Sequence, residues 1–186
     1  MIPPEQSKLI LSRLRGRVGR RTRQLVLAAI LGSLMSGVAL AFIRPIEYGF
    51  AVFGQAASRA SWLLIVVPAL GGLVSGWLYE LLRTPGEGKG VSRIMWSIYR
   101  KRGRLPALEG LRTWLASSAT IATGGSVGPE GPIAAIGSVI GSQLAKLFHL
   151  PPRQMTTLLG CGAAAGISSV FNTPIAGVFF VTEVML

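Results

Sequence analysis

Hydrophobic and polar positions fall into long blocks along this chain. Leu25 to Ile43 runs 19 residues without a charge, enough to cross a hydrocarbon core of about 30 Å as an α-helix with little tilt. Ala60 to Tyr79 is a second uncharged block, with Trp62, Trp77 and Tyr79 near its ends, where aromatic rings favour a membrane interface. Both blocks predict membrane-spanning helices. Gly71, Gly72 and Gly76 in the second predict close helix packing. Arg44 to Ser61 lies between the blocks and carries Arg44, Glu47 and Arg59 around Tyr48, Phe50 and Phe53. That stretch is too polar to span, and the pattern predicts an outer connection.

Further along, the apolar runs shorten. Trp114 to Ala122 and Ile133 to Ile140 flank Gly124-Gly125-Ser126-Val127-Gly128-Pro129-Glu130-Gly131-Pro132. Neither run reaches the roughly 20 residues that a spanning helix needs, so the pair predicts a discontinuous helix whose halves meet inside the membrane. Such a break is tolerated where backbone is buried in protein or lines a cavity. The second half would begin at Gly131-Pro132, with proline in the first turn, where its missing N–H costs little. Free amides and the positive dipole end there make a ready anion site, and Glu130 sits beside it as a tethered anion. The same pattern also fits a loop between ordinary membrane helices, with Glu130 as a solvated N-terminal residue.

Composition narrows the class. Half of the 186 residues are hydrophobic and 14% are charged, which favours an integral membrane protein over a soluble domain. The net charge of +12 is concentrated: seven basic residues precede Gln24, and eight lie from Arg83 to Arg112. These clusters flank the two uncharged blocks, so the positive-inside rule places both on the cytoplasmic side of a plasma or inner membrane. Met1 to Gln24 then reads as a basic cytoplasmic segment. Its Leu9, Ile10, Leu11, Leu14 and Val18 are spaced for a short amphipathic helix on an anionic leaflet. Residues 25–186 form the membrane domain. Arg20-Arg21 before an apolar run also fits a twin-arginine export signal, although the remainder is itself membrane-like.

Chemistry is sparse. Cys161 and His149 are single, and aspartate is absent, so disulfide frameworks, zinc sites and Cys/His nucleophilic pairs have no residues to draw on. No metal or organic cofactor is expected, and enzymatic function ranks last. Arg100-Lys101-Arg102 and Arg104 read as a solvated basic turn; nucleic-acid binding lacks aromatic interleaving and a supporting fold. Gly86-Glu87-Gly88-Lys89-Gly90 is not a P-loop, because no glycine stands at the required distance ahead and Gly90 replaces the Ser or Thr after the lysine. Lys146, His149 and Arg153 bracket a Leu150-Pro151-Pro152 turn at an interface. Gly160, Gly162 and Ala163 to Gly166 suit tight helix packing, and Phe171-Asn172-Thr173-Pro174 breaks the run before another helix.

The stretch Gly125 to Phe148, followed by Gly160 to Met185, resembles the first half of a CLC chloride channel or chloride/proton antiporter. In that family a G-R/K-E-G-P segment carries a gating glutamate, and a G-A-A-A-G…F-N-x-P-x-A-G-x-x-F stretch follows. The resemblance implies an all-α membrane domain, the first of two inverted repeats with half-helices, in a protein that packs as a homodimer. Ile175, Val178 and Phe179 fall in the region through which family dimers pack; their ordinary reading is lipid-facing or core surface. Chloride or a similar anion and the bilayer are the implied partners.

By the same resemblance Glu130 is the gate: protonated it releases the anion path, ionised it closes it. Gly128, Gly131, Pro132 and Ile133 would meet the anion from one side, and Gly88, Lys89, Gly90 and Val91 from the other. Three departures stand out. Lys89 and Ser92 occupy the serine and proline positions of the family's G-S-G-I/V-P segment, Pro129 replaces the basic residue before the gate, and Val184 replaces the second of two glutamates at a helix end. Glu183 matches the first, leaving Glu130 and Glu183 as a candidate proton path. The expectation is therefore a fragment of an anion transporter whose second repeat is not in this sequence. The rival expectations are a non-transporting membrane scaffold or half-subunit and a relative selective for fluoride or nitrate.

Overall fold

A computed structural model describes residues 4–82 and 90–185, with backbone only at residues 4–21, 57 and 59. The described residues form seven α-helices: α1 (Pro4–Arg59), α2 (Leu63–Leu81), α3 (Gly90–Lys101), α4 (Ala107–Ala122), α5 (Glu130–Leu147), α6 (Pro152–Phe171) and α7 (Pro174–Val184). The fold is all-α, as the sequence predicts.

The first helix corrects the block reading. The stretch expected to be an outer connection is helical from Arg44 to Arg59: α1 runs unbroken from Pro4 through Pro45 to Arg59. The cause is a stripe the block pattern conceals. Leu27, Leu31, Met35, Ala39, Phe42 and Ile46 recur at intervals of three or four and are all buried, so one helical face runs unbroken past the proline. Arg44 and Glu47 fall on the exposed side. The apolar part, Thr22–Ala56, has 35 residues and spans about 52 Å at 1.5 Å per residue, more than a bilayer core requires.

Among the described residues two helices are long and apolar enough to cross a membrane, within Thr22–Ala56 and Leu63–Leu81. On α2, Leu64, Ile65, Leu73 and Trp77 are all exposed, an apolar surface that suits lipid. Of its glycines only Gly71 is a packing site, its Cα lying under the Thr123 side chain. Gly72 and Gly76 face open space, contrary to the expectation that all three pack.

The core forms where α5 crosses α6. A Cβ at Gly137 would overlap the Gly162 carbonyl, one at Gly162 would overlap the Gly137 carbonyl, and one at Gly141 would overlap the Leu158 carbonyl. Backbone therefore meets backbone, which only small residues permit. Ile133, Ala134, Val139, Leu158, Leu159 and Ala163 fill the surrounding space and are buried. At the far end α6 stops at Asn172, whose left-handed φ of 54° ends the helix, and Pro174 starts α7 at a position where its missing N–H costs nothing.

Gly137→Val places a branched side chain against a backbone that cannot yield, and the expected loss is about 3 kcal/mol or more, at or above the usual cost of overpacking. Gly72→Ala, in open space within a helix, should instead gain about 0.5–1 kcal/mol. Thermal unfolding of the detergent-solubilised protein distinguishes the two.

Candidate functional site

The loop between α4 and α5 is held from both sides. Its polypeptide leaves α4 through Thr123, whose hydroxyl donates to the Ala119 and Thr120 carbonyls at 2.8 and 3.0 Å. Gly125 N–H donates back to the Thr120 carbonyl at 2.9 Å. Gly124 adopts φ +85°, and the Phe53 ring of α1 presses on its Cα so closely that a Cβ would stand 2.5 Å from the ring edge. Gly49 of α1 packs on Ala122, and Gly71 of α2 on Thr123. The segment expected to be an outer connection thus supplies, through Gly49 and Phe53, one wall of the turn that leads to Glu130.

Pro129 caps α5 and accepts from Ile133 N–H at 3.0 Å. Glu130 is the first helical residue; its side chain is exposed and folds back so that its carboxylate covers the Cα of Gly128. Gly128, Glu130, Gly131, Pro132 and Ile133 therefore stand together at one helix start. Their donors are fewer than the sequence reading supposed. Ile133 spends its N–H on Pro129, its side chain is wholly buried, and Pro132 has no N–H, so Glu130 and Gly131 carry the amides that the first turn leaves outside the helical ladder.

The other expected group begins a different helix. Gly90 opens α3 with φ +58°, and Val91 packs against the core; Gly88 and Lys89 lie outside the described residues. No hydrogen bond or ion pair joins Gly90 or Val91 to Glu130 among the described residues. Glu183 is exposed near the end of α7. Arg100, Lys101, Arg102 and Arg104 are exposed, as the sequence predicts.

Sequence reasoning missed a buried charge cluster. Arg93 Nε lies 3.0 Å from Glu109 Oε2, Arg112 Nη1 lies 3.8 Å from the same oxygen, and the Arg112 guanidinium sits 4.3 Å from the centre of the Tyr79 ring. All three charged side chains are nearly inaccessible. The cluster ties α2, α3 and α4 together beside the start of α3. One signal was present: Glu109 is a lone acid near the start of an otherwise apolar helix, with an arginine three residues on.

A sequence profile described as voltage gated chloride channel matches residues 71–186, which include both helix starts and the small-residue crossing. The chain belongs to this family. Voltage gated chloride channel family members are membrane transport proteins, not enzymes. The Arabidopsis thaliana chloride channel protein CLC-e is 40% identical over 133 residues, covering 71% of this chain and 18% of that protein. A putative chloride channel protein, ClcB-like, from Ralstonia nicotianae is 34% identical over 173 residues, 87% of this chain and 40% of the relative. The H(+)/Cl(-) exchange transporter ClcA of Salmonella arizonae is 29% identical over 206 residues, 98% of this chain and 42% of the relative. The chain thus spans less than half the length of these family members.

Removing the carboxylate that two buried guanidinium groups share, as Glu109→Ala, should cost about 3–5 kcal/mol. Denaturant titration of the solubilised protein measures it, and a double-mutant cycle with Arg93→Met should return a coupling of about 1 kcal/mol or more.

Proposed function

We propose that this chain supplies half of a chloride-conducting path, gated by Glu130. The observation that carries the reading is the exposed Glu130 carboxylate turned back over Gly128, at a helix start whose first amides lie outside the helical ladder. A tethered anion in that position competes with a free one for the same positive backbone field. Protonation removes the tethered charge and leaves the field to chloride.

In this reading the break between α4 and α5 is where two helices meet within the membrane, in the first of two inverted repeats. The basic segment before Gln24 and the basic turn after α3 are taken as cytoplasmic. The amides of Gly90 and Val91 at the start of α3 are the proposed inner contacts, and family resemblance assigns Gly88 and Lys89 to the same site.

Pairing of two subunits through a face that includes the exposed Ile175, Val178 and Phe179 belongs to the same reading. Channel and exchanger names both occur among the relatives, so coupling is judged here on residues. Val184 stands where a proton-accepting glutamate is expected, and Glu183 beside it is exposed, which favours weak or absent proton coupling.

In the complete protein reconstituted in liposomes, Glu130→Gln should raise chloride efflux at neutral pH by at least about tenfold and flatten its rise toward acid pH, since one charge acting at about 4 Å near a protein surface is worth more than about 1.4 kcal/mol. Unchanged flux and an unchanged pH profile in the variant would remove Glu130 from the path.

A further inference from the structure

Opposite the Glu130 end of α5, two clefts separate the turn after α3 from the start of α6. One, of about 630 Å³, is lined by Ile98, Arg102, Pro151, Pro152, Arg153, Gln154 and Thr156. The other, of about 400 Å³, is lined by Arg104, Lys146, His149, Leu150 and Met155. Gly103 forms the wall between them: a Cβ there would lie 3.5 Å from the Thr156 hydroxyl and 3.6 Å from Met155. Arg102 and Arg104 therefore point into neighbouring clefts from the two sides of one residue.

The wall is rigid. Ser142 Oγ donates to the Gly103 carbonyl at 2.8 Å and accepts from Leu105 N–H at 3.0 Å. Gln143 Nε2 and Lys146 Nζ both donate to the Leu105 carbonyl, at 2.7 and 2.6 Å, and Ser97 Oγ donates to the Arg104 carbonyl at 3.2 Å. Arg102 and His149 both hold left-handed backbone, with φ of 52° and 50°, where glycine is the usual occupant. Each is the residue that turns the chain out of a helix: Gly103 N–H reaches back to the Ser97 carbonyl and Leu150 N–H to the Ala145 carbonyl. A basic side chain at each turn thus carries a backbone cost that glycine would avoid.

Charge is the telling feature. Arg102, Arg104, Lys146 and Arg153 bring four formal positive charges to the two clefts, and no carboxylate lines either one. None of the four makes an ion pair with a described residue. The C-termini of α3 and α5 end here and offset about half a charge each, while the N-terminus of α6 adds about half a charge, so the clefts keep more than about three positive charges. Arg23 adds to the surroundings by donating to the Phe148 carbonyl at 2.8 Å.

We propose that these paired clefts bind a phosphate-bearing anion, the headgroup of an anionic lipid or a soluble phosphate, held by Arg102 and Arg153 in one cleft and Arg104 and Lys146 in the other. Guanidinium groups on a fixed turn suit bidentate phosphate contacts, and the volumes fall within the usual range of ligand sites. Basic pockets between membrane helices recognise lipid headgroups by the same chemistry. The site is separate from the Glu130 path and does not depend on it.

The test uses the complete protein in nanodiscs. Inorganic pyrophosphate is titrated by calorimetry in neutral phosphatidylcholine discs, and in a second arm thermal stability is compared between phosphatidylcholine and phosphatidic acid discs. Arg102→Gln and Arg153→Gln are the site variants, both at exposed side chains. Arg100→Gln is the control, since Arg100 is exposed, lies in the same basic run and lines neither cleft.

Binding in either arm that Arg102→Gln or Arg153→Gln weakens about tenfold, with Arg100→Gln within about twofold of the parent, supports the site, and the responsive arm identifies its source. Failure of both probes overturns it. An equal loss in Arg100→Gln also overturns it, because the attraction would then be diffuse surface charge.

Discussion

Backbone contact between α5 and α6 is the constraint on which the rest depends. Gly137 and Gly162 each stand where any side chain would enter the other's carbonyl, so the two helices lie closer than larger residues permit. Such closeness fixes α5 along its length. Its first turn then has one available position, between the loop that Phe53, Gly49 and Gly71 hold and the core that Ile133 enters. A carboxylate and two unpaired amides at that turn are placed by packing more than by their own bonds, since α5 has no side-chain cap.

The other end of α5 is organised by polar contacts. Ser142, Gln143 and Lys146 hold the turn that leads from α3 into α4, while the Arg93, Glu109 and Arg112 cluster fastens α3 to α4 and to Tyr79 of α2. One helix therefore carries an acidic gate candidate at its start and a basic cleft at its end. Each electrostatic feature opposes or completes the helix field in its own way: the glutamate occupies the positive end, and the basic residues exceed what the negative end can offset.

Much of this was legible in the sequence, for reasons that differ by element. The break around Glu130 could be read because glycine and proline punctuate two apolar runs too short to span, and the α6 crossing could be read from its density of small residues. Continuity of α1 could not, because Arg44 and Glu47 lie on one face while Leu27 to Ile46 make a stripe that block averaging hides. The buried cluster pairs Arg93 with Glu109 across a turn, and its burial depends on Tyr79 of another helix, so composition alone read its arginines as part of a basic surface. The bond from the Ile133 N–H to the Pro129 carbonyl was not legible either, because it is a property of the folded first turn. Gly88 and Lys89 lie outside the described residues, and their part in the anion path rests on family resemblance.

The central claim is that the Glu130 carboxylate and chloride compete for one site at the start of α5. Calorimetric titration of chloride into the complete protein, repeated at a series of pH values from neutral to acid, tests it most directly. Competition predicts affinity that tightens as pH falls, and a titration of Glu130→Gln that shows the tight value throughout. Chloride affinity that is independent of pH in the parent protein, or equally pH-dependent in the variant, would contradict the account.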